Sequence, residues 1–301
     1  MFVSFIIPVY NAEPFLIATI ESVLSCGYDE FECILIDDGS NDKSQEICMS
    51  YAERFPGYVS FYTHPGRINK GVSATRQLGI EQSKGELIYF LDADDRLLPG
   101  AINKYITVFE QTPEVTLIHG RITLGADQTP HTDLEAAFDL GPRDKVYRLS
   151  EEPYFLLNNY ICNSTVCLRK SMLSKVDFHY DQAFQVEDWV LWTLLSRLGL
   201  FYYVATPVVH YRYHSGSATF HVGKKGYMFY NYTKVEFYMV LLARLPKGPV
   251  RDKVSNLLYE QFNSIYKAYA KNKTKTLSSR LFNWYFVKDL IKSISGFRRK
   301  S

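Results

Sequence analysis

The amino-acid sequence predicts an α/β fold in which helices flank a mostly parallel sheet, with a helical region at the C-terminal end. Over the first 120 residues, short apolar runs alternate with stretches of helical spacing, which is typical of successive β-α-β units. Polar residues follow several of these runs, at the carboxyl ends of the predicted strands. Ligands bind at these ends in sheets of this kind. From residue 223 onward, helical spacing continues and basic residues prevail.

The composition is that of a globular protein with unevenly distributed charge. The 301 residues are 47% hydrophobic and 22% charged, which excludes a disordered chain. Residues 1–222 contain 17 Lys/Arg and 28 Asp/Glu, a net charge of −11, whereas residues 223–301 contain 17 and 4, a net charge of +13. We therefore expect two parts with different roles, the first divided into halves at 1–120 and 121–222.

Several features of the chain predict a cytoplasmic protein. Residues 2–8 are apolar but have neither a basic leader nor a cleavage site, so no signal peptide is expected. The long apolar stretch at 189–205 is interrupted by Arg197, so no transmembrane helix is expected. Five cysteines without CxxC spacing predict reduced thiols. A zinc site is disfavoured because Cys162 and Cys167 have no second ligand pair.

The elements follow one another in a regular order. Apolar runs predict strands, helical spacing predicts helices, Pro14 suits a first helical turn, and Asp42 can cap the second helix. A polar loop or acceptor-facing insertion is expected at 125–150, and mixed helix and strand at 151–222. The predicted strands are 3–9, 33–36, 59–62, 87–91, 115–119 and 201–204, and the predicted helices are 14–25, 42–55, 73–83 and 100–111.

A cluster of acidic residues follows the strand at 87–91. Asp92, Asp94 and Asp95 fall within four residues, with Ala93 between the first two. Such carboxylates repel one another unless a cation or water neutralises them. Mg²⁺ and Mn²⁺ take oxygen ligands of this kind and also bridge phosphates. A solvated turn is the alternative, but the preceding buried strand favours a metal site.

Two earlier loops carry candidate ligand-binding residues. Asp37 and Asp38 end the second predicted strand, where a carboxylate can accept hydrogen bonds from a nucleobase or ribose, or can serve a turn and helix cap. Gly71 begins the third helix and permits close backbone approach. Arg76, one turn later, suits a base edge or a phosphate, or it is an ordinary surface arginine.

Two further motifs lie in the second half of the predicted domain. Glu187 and Asp188 introduce an apolar helix, either as the acidic first turn that a helix dipole favours or with one of them as a general base. Alternation along a strand would put His210, Arg212 and His214 on one side. That cationic edge suits a diphosphate or, through an imidazole, a metal ion, although a lone histidine is often structural.

Taken together, these motifs resemble glycosyltransferase family 2, an inverting family with a GT-A type fold. The likeness covers residues 1–220, and the order and spacing of the motifs make it specific. Gln77 departs from the asparagine common in the family, and the region after residue 223 lies outside the shared pattern. The motifs are SFIIPVYN at 4–11, DDGS at 37–40, GVSATR at 71–76, FLDADD at 90–95, ED at 187–188 and YRYH at 211–214.

The resemblance implies a Rossmann-like nucleotide-binding half and a role for each motif. Asp38 would bind the base and Asp92 would lie near the ribose. Asp188 would be the catalytic base, oriented by Glu187. The implied donor-binding residues are Pro8, Tyr10, Asp38, Gly71, Arg76, Asp92, Ala93, Arg212 and His214, the last two closing over the diphosphate. The implied metal ligands are Asp94 first, with Asp92, Asp95 and His214 as further candidates.

The implied reaction is the metal-dependent, inverting transfer of one sugar from a nucleotide diphosphate sugar to an acceptor hydroxyl. The expected donor is a UDP-sugar, the expected metal is Mn²⁺ or Mg²⁺, and the expected acceptor is a glycan or lipid-linked glycan in bacterial surface polysaccharide assembly. Nucleic acid is not an expected partner, and self-association stays open.

The basic C-terminal region suggests a membrane surface. Residues 280–297 place phenylalanine, leucine and isoleucine at helical spacing among lysines, a pattern typical of interfacial helices that meet anionic lipids. The alternatives are a helical subdomain that packs on the catalytic core or on a second subunit, and a polyanionic acceptor.

Other enzyme classes fit the sequence less well. A sugar nucleotidyltransferase would carry a glycine-rich basic loop after the first strand, a dinucleotide dehydrogenase would carry GxGxxG there, and a processive synthase would carry QxxRW and membrane spans. None of these patterns is present. A catalytically inactive scaffold of the same fold remains the alternative from a different class.

Overall fold

A computed structural model describes residues 1–124, 136–148, 155–176, 186–217, 231 and 233–271, with side chains through residue 265. The chain divides into two compact units, Met1–Ser217 and Ala218–Ser301. The predicted boundary at 222 is close to this division. The different roles expected for the two parts stay predictions.

The first unit alternates strands and helices along its first half. Its strands are β1 (Val3–Val9), β2 (Phe31–Asp37), β3 (Val59–Thr63), β4 (Leu87–Phe90), β5 (Arg96–Leu97), β6 (Val115–Leu124), β7 (Lys145–Tyr147), β8 (Cys167–Arg169) and β9 (Leu200–Tyr211). Its helices are α1 (Glu13–Leu24), α2 (Ser44–Arg54), α3 (Val72–Gln82), α4 (Ala101–Gln111), α5 (Lys170–Leu173) and α6 (Glu187–Leu195).

The described residues of the second unit are mostly helical. A helical stretch covers residues 233–244, and α7 covers Pro249–Lys271. The amphipathic segment at 280–297 lies outside the described residues. Among the residues that are described, no helix is long and apolar enough to cross a membrane.

The nine strands described in the first unit belong to one mixed sheet. The order is β3-β2-β1-β4-β8-β6-β9-β5, with β7 also beside β9. The first four strands in this order run parallel, whereas β8 is antiparallel to both of its neighbours. β1 and β2 are buried along their whole length, as strands covered on both faces by helices must be. The predicted α/β fold is confirmed, and its parallel part is the first half.

Two predicted features differ from the structure. The predicted strand at 201–204 is part of a longer strand, β9, which also includes His210 and passes through Pro207 at a shift in its register with β6. The register shifts on both sides of the Arg121–Pro207 pair mark an irregular part of the ladder, which is where a strand tolerates a proline that has no N–H to donate. Because β9 ends at Tyr211, strand alternation does not govern Arg212 and His214. The expected loop at 125–150 contains β7, which pairs with β9.

Hydrogen bonds join the two loops that follow β1 and β2. The backbone N–H of Asn11 donates to the Ser40 hydroxyl (3.0 Å), and the N–H of Asn41 donates to the Asn11 side-chain oxygen (2.8 Å). Asn11 has φ +50°, a left-handed conformation that asparagine tolerates better than most residues. Asp42 accepts the N–H of Ser44 (2.9 Å) at the start of α2. The carboxyl ends of β1 and β2 therefore present a preorganised edge.

α3 lies against β1 and β2 with a glycine at the closest approach. A Cβ at Gly79 would stand 2.4 Å from Ile6 Cγ2 and 3.0 Å from Ile36 Cδ1. Both isoleucines are fully buried, so neither can move without disturbing the core. The glycine allows α3 to approach the sheet closely enough to bring its first two turns to the strand ends.

We expect Gly79→Ala to destabilise the protein, although alanine is normally the better helix former by about 1 kcal/mol. Overpacking against the two isoleucines should cost about 1–3 kcal/mol, measured as the free energy of unfolding in urea. Glu81→Ala, at an exposed position of the same helix, is the matched control and should change it by less than about 0.5 kcal/mol. A stabilised Gly79→Ala protein would contradict the close packing.

Candidate active site

The acidic residues after β4 have very different environments. The side chains of Asp92 and Asp94 are 32% and 30% exposed, whereas Asp95 is 1% exposed. Ala93 is buried between the first two, and its carbonyl accepts a hydrogen bond from the Thr19 hydroxyl (2.8 Å). The turn therefore offers two carboxylates to solvent and keeps the third inside the protein.

Asp94 forms a pair with His214. The Oδ2 of Asp94 lies 3.1 Å from the Nε2 of His214, and both side chains are partly exposed. The imidazole stacks on the Phe15 ring of α1 at 4.3 Å. The N–H of Gly216 donates to His214 Nδ1 (3.2 Å), which favours the tautomer with the proton on Nε2. Phe15 and Gly216 thus hold the ring edge-on to the carboxylate.

This pair fits a hard divalent cation. Carboxylate oxygen and imidazole nitrogen are both ligands for Mn²⁺, and Mg²⁺ is commonly bound by one or two carboxylates together with substrate phosphates. To ligate through Nε2, the His214 ring would have to move its proton to Nδ1 and release Gly216. No group of three His, Cys, Asp or Glu converges among the described residues, so the remaining ligands would come from the donor and water.

Asp95 and Arg212 hold the acidic turn against α1. Asp95 Oδ1 accepts the backbone N–H of Arg212 (3.0 Å), and the Arg212 guanidinium donates to the carbonyls of Asp94, Asp95 and Phe15 and to the Thr19 hydroxyl (2.8 Å). Burial raises the pKa of Asp95 well above its usual range. In this structure both residues bind the protein itself, and the expected roles of Asp95 on a metal and of Arg212 on a diphosphate stay predictions.

Arg76 connects the acidic turn with the start of α6. Its Nη2 donates to Asp92 Oδ1 (2.8 Å) and its Nη1 donates to Glu187 Oε1 (3.0 Å). Arg76 and Glu187 are both buried. These two nitrogens are used within the protein, and the expected contact of Arg76 with a nucleotide stays a prediction.

Asp188 has the electrostatic character of a general base. Burial and the neighbouring Glu187 raise its pKa to about 7, against an opposing effect of Arg76. Its Oδ2 accepts a hydrogen bond from Asn159 Nδ2 (3.1 Å), and its Oδ1 accepts the backbone N–H of Trp189 (2.6 Å). A base with a pKa near neutrality is well matched to proton abstraction from a hydroxyl group.

The loops beyond β1, β2 and β3 surround Asp38. Its carboxylate accepts the backbone N–H groups of Lys70 (2.7 Å) and Gly71 (2.9 Å), and the His64 imidazole lies 3.6 Å away. Asp38 is thereby held at the start of α3, where the helix dipole favours a negative charge. Gly71 has a φ of +85°, a conformation that glycine adopts without steric cost, at the point where this loop turns into α3.

The remaining predicted pocket residues differ in exposure. Tyr10 is 50% exposed at the end of β1, where its ring is available to a flat ligand. Pro8 is buried within the strand, so it shapes the strand end and does not itself face solvent.

Sequence reasoning missed several residues that the structure brings to the site. Asn159 contacts Asp188, Asn163 contacts Asp92 Oδ1 (3.4 Å), and the Ser164 hydroxyl accepts the Asp92 N–H (3.2 Å). All three lie in the segment before β8. The only signal was the polar run NST at 163–165 among apolar residues, which is too common to indicate a site.

Solved structures with low sequence identity share the fold. Staphylococcus aureus TarS residues 1–349 superpose with a TM-score of 0.68 at 14% identity, over 98% of this chain and 81% of that one. A mannosyltransferase from Pyrobaculum calidifontis, PcManGT, superposes with a TM-score of 0.60 at 12% identity, over 98% of this chain and 84% of that one. The predicted GT-A type fold is confirmed by these likenesses.

Curated relatives extend the comparison to sequence. The minor teichoic acid biosynthesis protein GgaB of Bacillus subtilis is 26% identical over 238 residues, which is 78% of this chain and 25% of GgaB. The putative glycosyltransferase EpsH of the same organism is 26% identical over 230 residues, which is 74% of this chain and 64% of EpsH. The chain thus spans less than two thirds of either relative.

A family model gives the most direct assignment. The model described as Glycosyl transferase family 2 matches residues 4–175, a range that runs from β1 through the acidic turn to α5. Because this match covers more than half of the 301 residues, the chain belongs to glycosyl transferase family 2.

Proposed function

We propose that this chain is a metal-dependent, inverting glycosyltransferase that moves one sugar from a UDP-sugar to a hydroxyl group of a glycan or lipid-linked acceptor. One observation carries the proposal. A partly exposed carboxylate–imidazole pair, Asp94 with His214, lies two residues from Asp92, whose charge acts on Asp188 and helps to raise the pKa of that carboxyl to about 7. Metal-dependent single-displacement transfer uses a cation beside the diphosphate and a general base for the attacking hydroxyl group.

The comparisons support this choice of donor and acceptor. TarS structures contain UDP and UDP-GlcNAc, and the PcManGT structure contains GDP-Man and Mn²⁺. GgaB and GgaA of Bacillus subtilis are named minor teichoic acid biosynthesis proteins. These names favour a UDP-sugar and an acceptor that belongs to a bacterial surface polymer.

The chain's own residues divide the work of the reaction. Tyr10 and the loops around Asp38 would receive the nucleotide, and Asp94 with His214 would hold the cation. That cation would neutralise charge on the departing diphosphate. Asp188 would take the proton of the attacking hydroxyl group at Oδ1 or Oδ2, from the side opposite the leaving group. Attack from that side inverts the anomeric centre.

We expect Asp188→Asn to lower kcat by roughly 10²–10⁴-fold, because the amide cannot accept the proton, while the Kd of UDP with Mn²⁺ stays unchanged. Wild-type kcat should rise with pH through about pH 7, since Asp188 must be deprotonated to act and its pKa is about 7. The measurements are a coupled UDP-release assay across pH and the product anomer by proton NMR.

Asp29→Asn, an exposed aspartate, is the matched control and should keep wild-type kcat. Wild-type turnover in Asp188→Asn would exclude the base assignment. A product with the donor's anomeric configuration would exclude inversion.

We expect Asp94→Ala to remove the metal dependence of nucleotide binding. In the wild type, UDP and Mn²⁺ together should raise the Tm more than the sum of their separate effects, because a ligand that binds only the native state stabilises it. In Asp94→Ala that synergy should disappear and UDP alone should bind as in the wild type. Asp139→Ala, an aspartate that pairs with Arg121 outside the acidic turn, is the control. Full synergy in Asp94→Ala would contradict the metal assignment.

We also propose that residues 223–301 dock on an anionic membrane surface, at which a lipid-linked acceptor would be presented. The net charge of +13 in this region supports the proposal, since each basic residue near such a surface contributes about 1 kcal/mol. The segment with the most regular amphipathic spacing, 280–297, is outside the described residues.

Flotation with vesicles tests the docking. The intact protein should float with phosphatidylglycerol vesicles at low salt, should not float with phosphatidylcholine vesicles, and should be released by high salt, because the attraction is screened. A variant with Lys288→Glu, Lys292→Glu and Arg299→Glu should lose flotation while keeping transfer to a soluble acceptor. Absence of flotation with anionic vesicles would rule the docking out.

A further inference from the structure

Arg76 lies in α3 with its guanidinium between two carboxylates that belong to different parts of the fold. Asp92 follows β4, whereas Glu187 is the first residue of α6 and lies 111 positions further along the chain than Arg76. The side chains of Arg76 and Glu187 are 7% and 10% exposed. An ion pair this deeply buried is held tightly, because losing one partner leaves an uncompensated charge inside the protein.

The bridge that Arg76 forms between Asp92 and Glu187 constrains the position of Asp188, the residue next to Glu187. α6 begins at Glu187, so a fixed Glu187 determines where the first turn of that helix lies and therefore where Asp188 lies. Asp188 is also held by Asn159 through Oδ2. Two contacts from different segments thus define the position of this carboxylate relative to Asp92.

We propose that Arg76 is a positioning residue for the base. By holding Glu187 and Asp92 together, it fixes the position of Asp188 relative to Asp92. In this proposal Arg76 does not bind the nucleotide. This inference rests on the proposed function. The fork geometry of arginine suits this role, since one planar group can meet two carboxylates at once. Lysine would keep the charge but lose the fork.

The charges around Asp188 supply a signature of this arrangement. The charged and titratable groups that act on it are Glu187 and Asp92, which raise its pKa, and Arg76, which lowers it; the buried Cys162 thiol also lies near. Removing the arginine charge should therefore move the rise of kcat with pH to higher pH. Removing the glutamate charge should move it to lower pH.

The experiment compares Arg76→Gln, Arg76→Lys and Glu187→Gln with the wild type. We expect kcat to fall about 10–100-fold in Arg76→Gln, because small misplacements of a catalytic group have effects of this order, while the Kd of UDP with Mn²⁺ stays within about two-fold. Arg76→Lys should recover part of kcat. The pH profiles of Arg76→Gln and Glu187→Gln should shift in opposite directions. Arg197→Gln, an exposed arginine, should match the wild type.

Two results would overturn the inference. One is a rise of about ten-fold or more in the UDP Kd of Arg76→Gln with kcat unchanged, which would make Arg76 a nucleotide-binding residue. The other is a Glu187→Gln protein with wild-type kcat and pH profile, a readout that remains available if Arg76→Gln fails to fold. Absence of transfer by the wild type with every UDP-, GDP- and dTDP-sugar would contradict the proposed function instead, so the two failures are distinguishable.

Discussion

Mutual repulsion among carboxylates is the constraint on which this site depends. Five of them lie around the end of β4 and the start of α6: Asp92, Asp94, Asp95, Glu187 and Asp188. Two buried or half-buried arginines offset part of this charge, one by bridging two carboxylates and the other by holding the acidic turn through its carbonyls. Asp92 and Asp94 remain partly exposed, and the proposed cation would bind on this side of the acidic turn.

The same arrangement separates acidic groups with similar chemistry into different tasks. Asp94 is partly exposed and paired with an imidazole, Asp95 is buried and supports the backbone, and Asp188 has a pKa near 7. Environments that differ this much allow one protein to use a carboxylate as a cation ligand and another as a proton acceptor. The proposed division of labour rests on burial and hydrogen bonding, since the residue type is the same.

Local patterns predicted much of the fold, because strand and helix periodicity are properties of short stretches. The acidic turn was predictable from its place directly after a buried strand. The bridge from Arg76 to Glu187 was not, because sequence spacing carries no information on a contact across 111 positions. The alternation expected from His210 to His214 was wrong for a physical reason: β9 ends at Tyr211, so Arg212 and His214 lie beyond the strand. β7 was missed because its three residues lie in a polar stretch.

β9 has a consequence for how this protein can be divided into fragments. It is the parallel partner of β6 along almost the whole strand, and the segment directly after it carries His214. A fragment that stopped at residue 175, where the family match ends, would keep the parallel half of the sheet but leave β6 as an open edge. Unpaired edges recruit other chains, so such a fragment should aggregate on expression. The shortest useful truncation of the first unit therefore extends through Ser217.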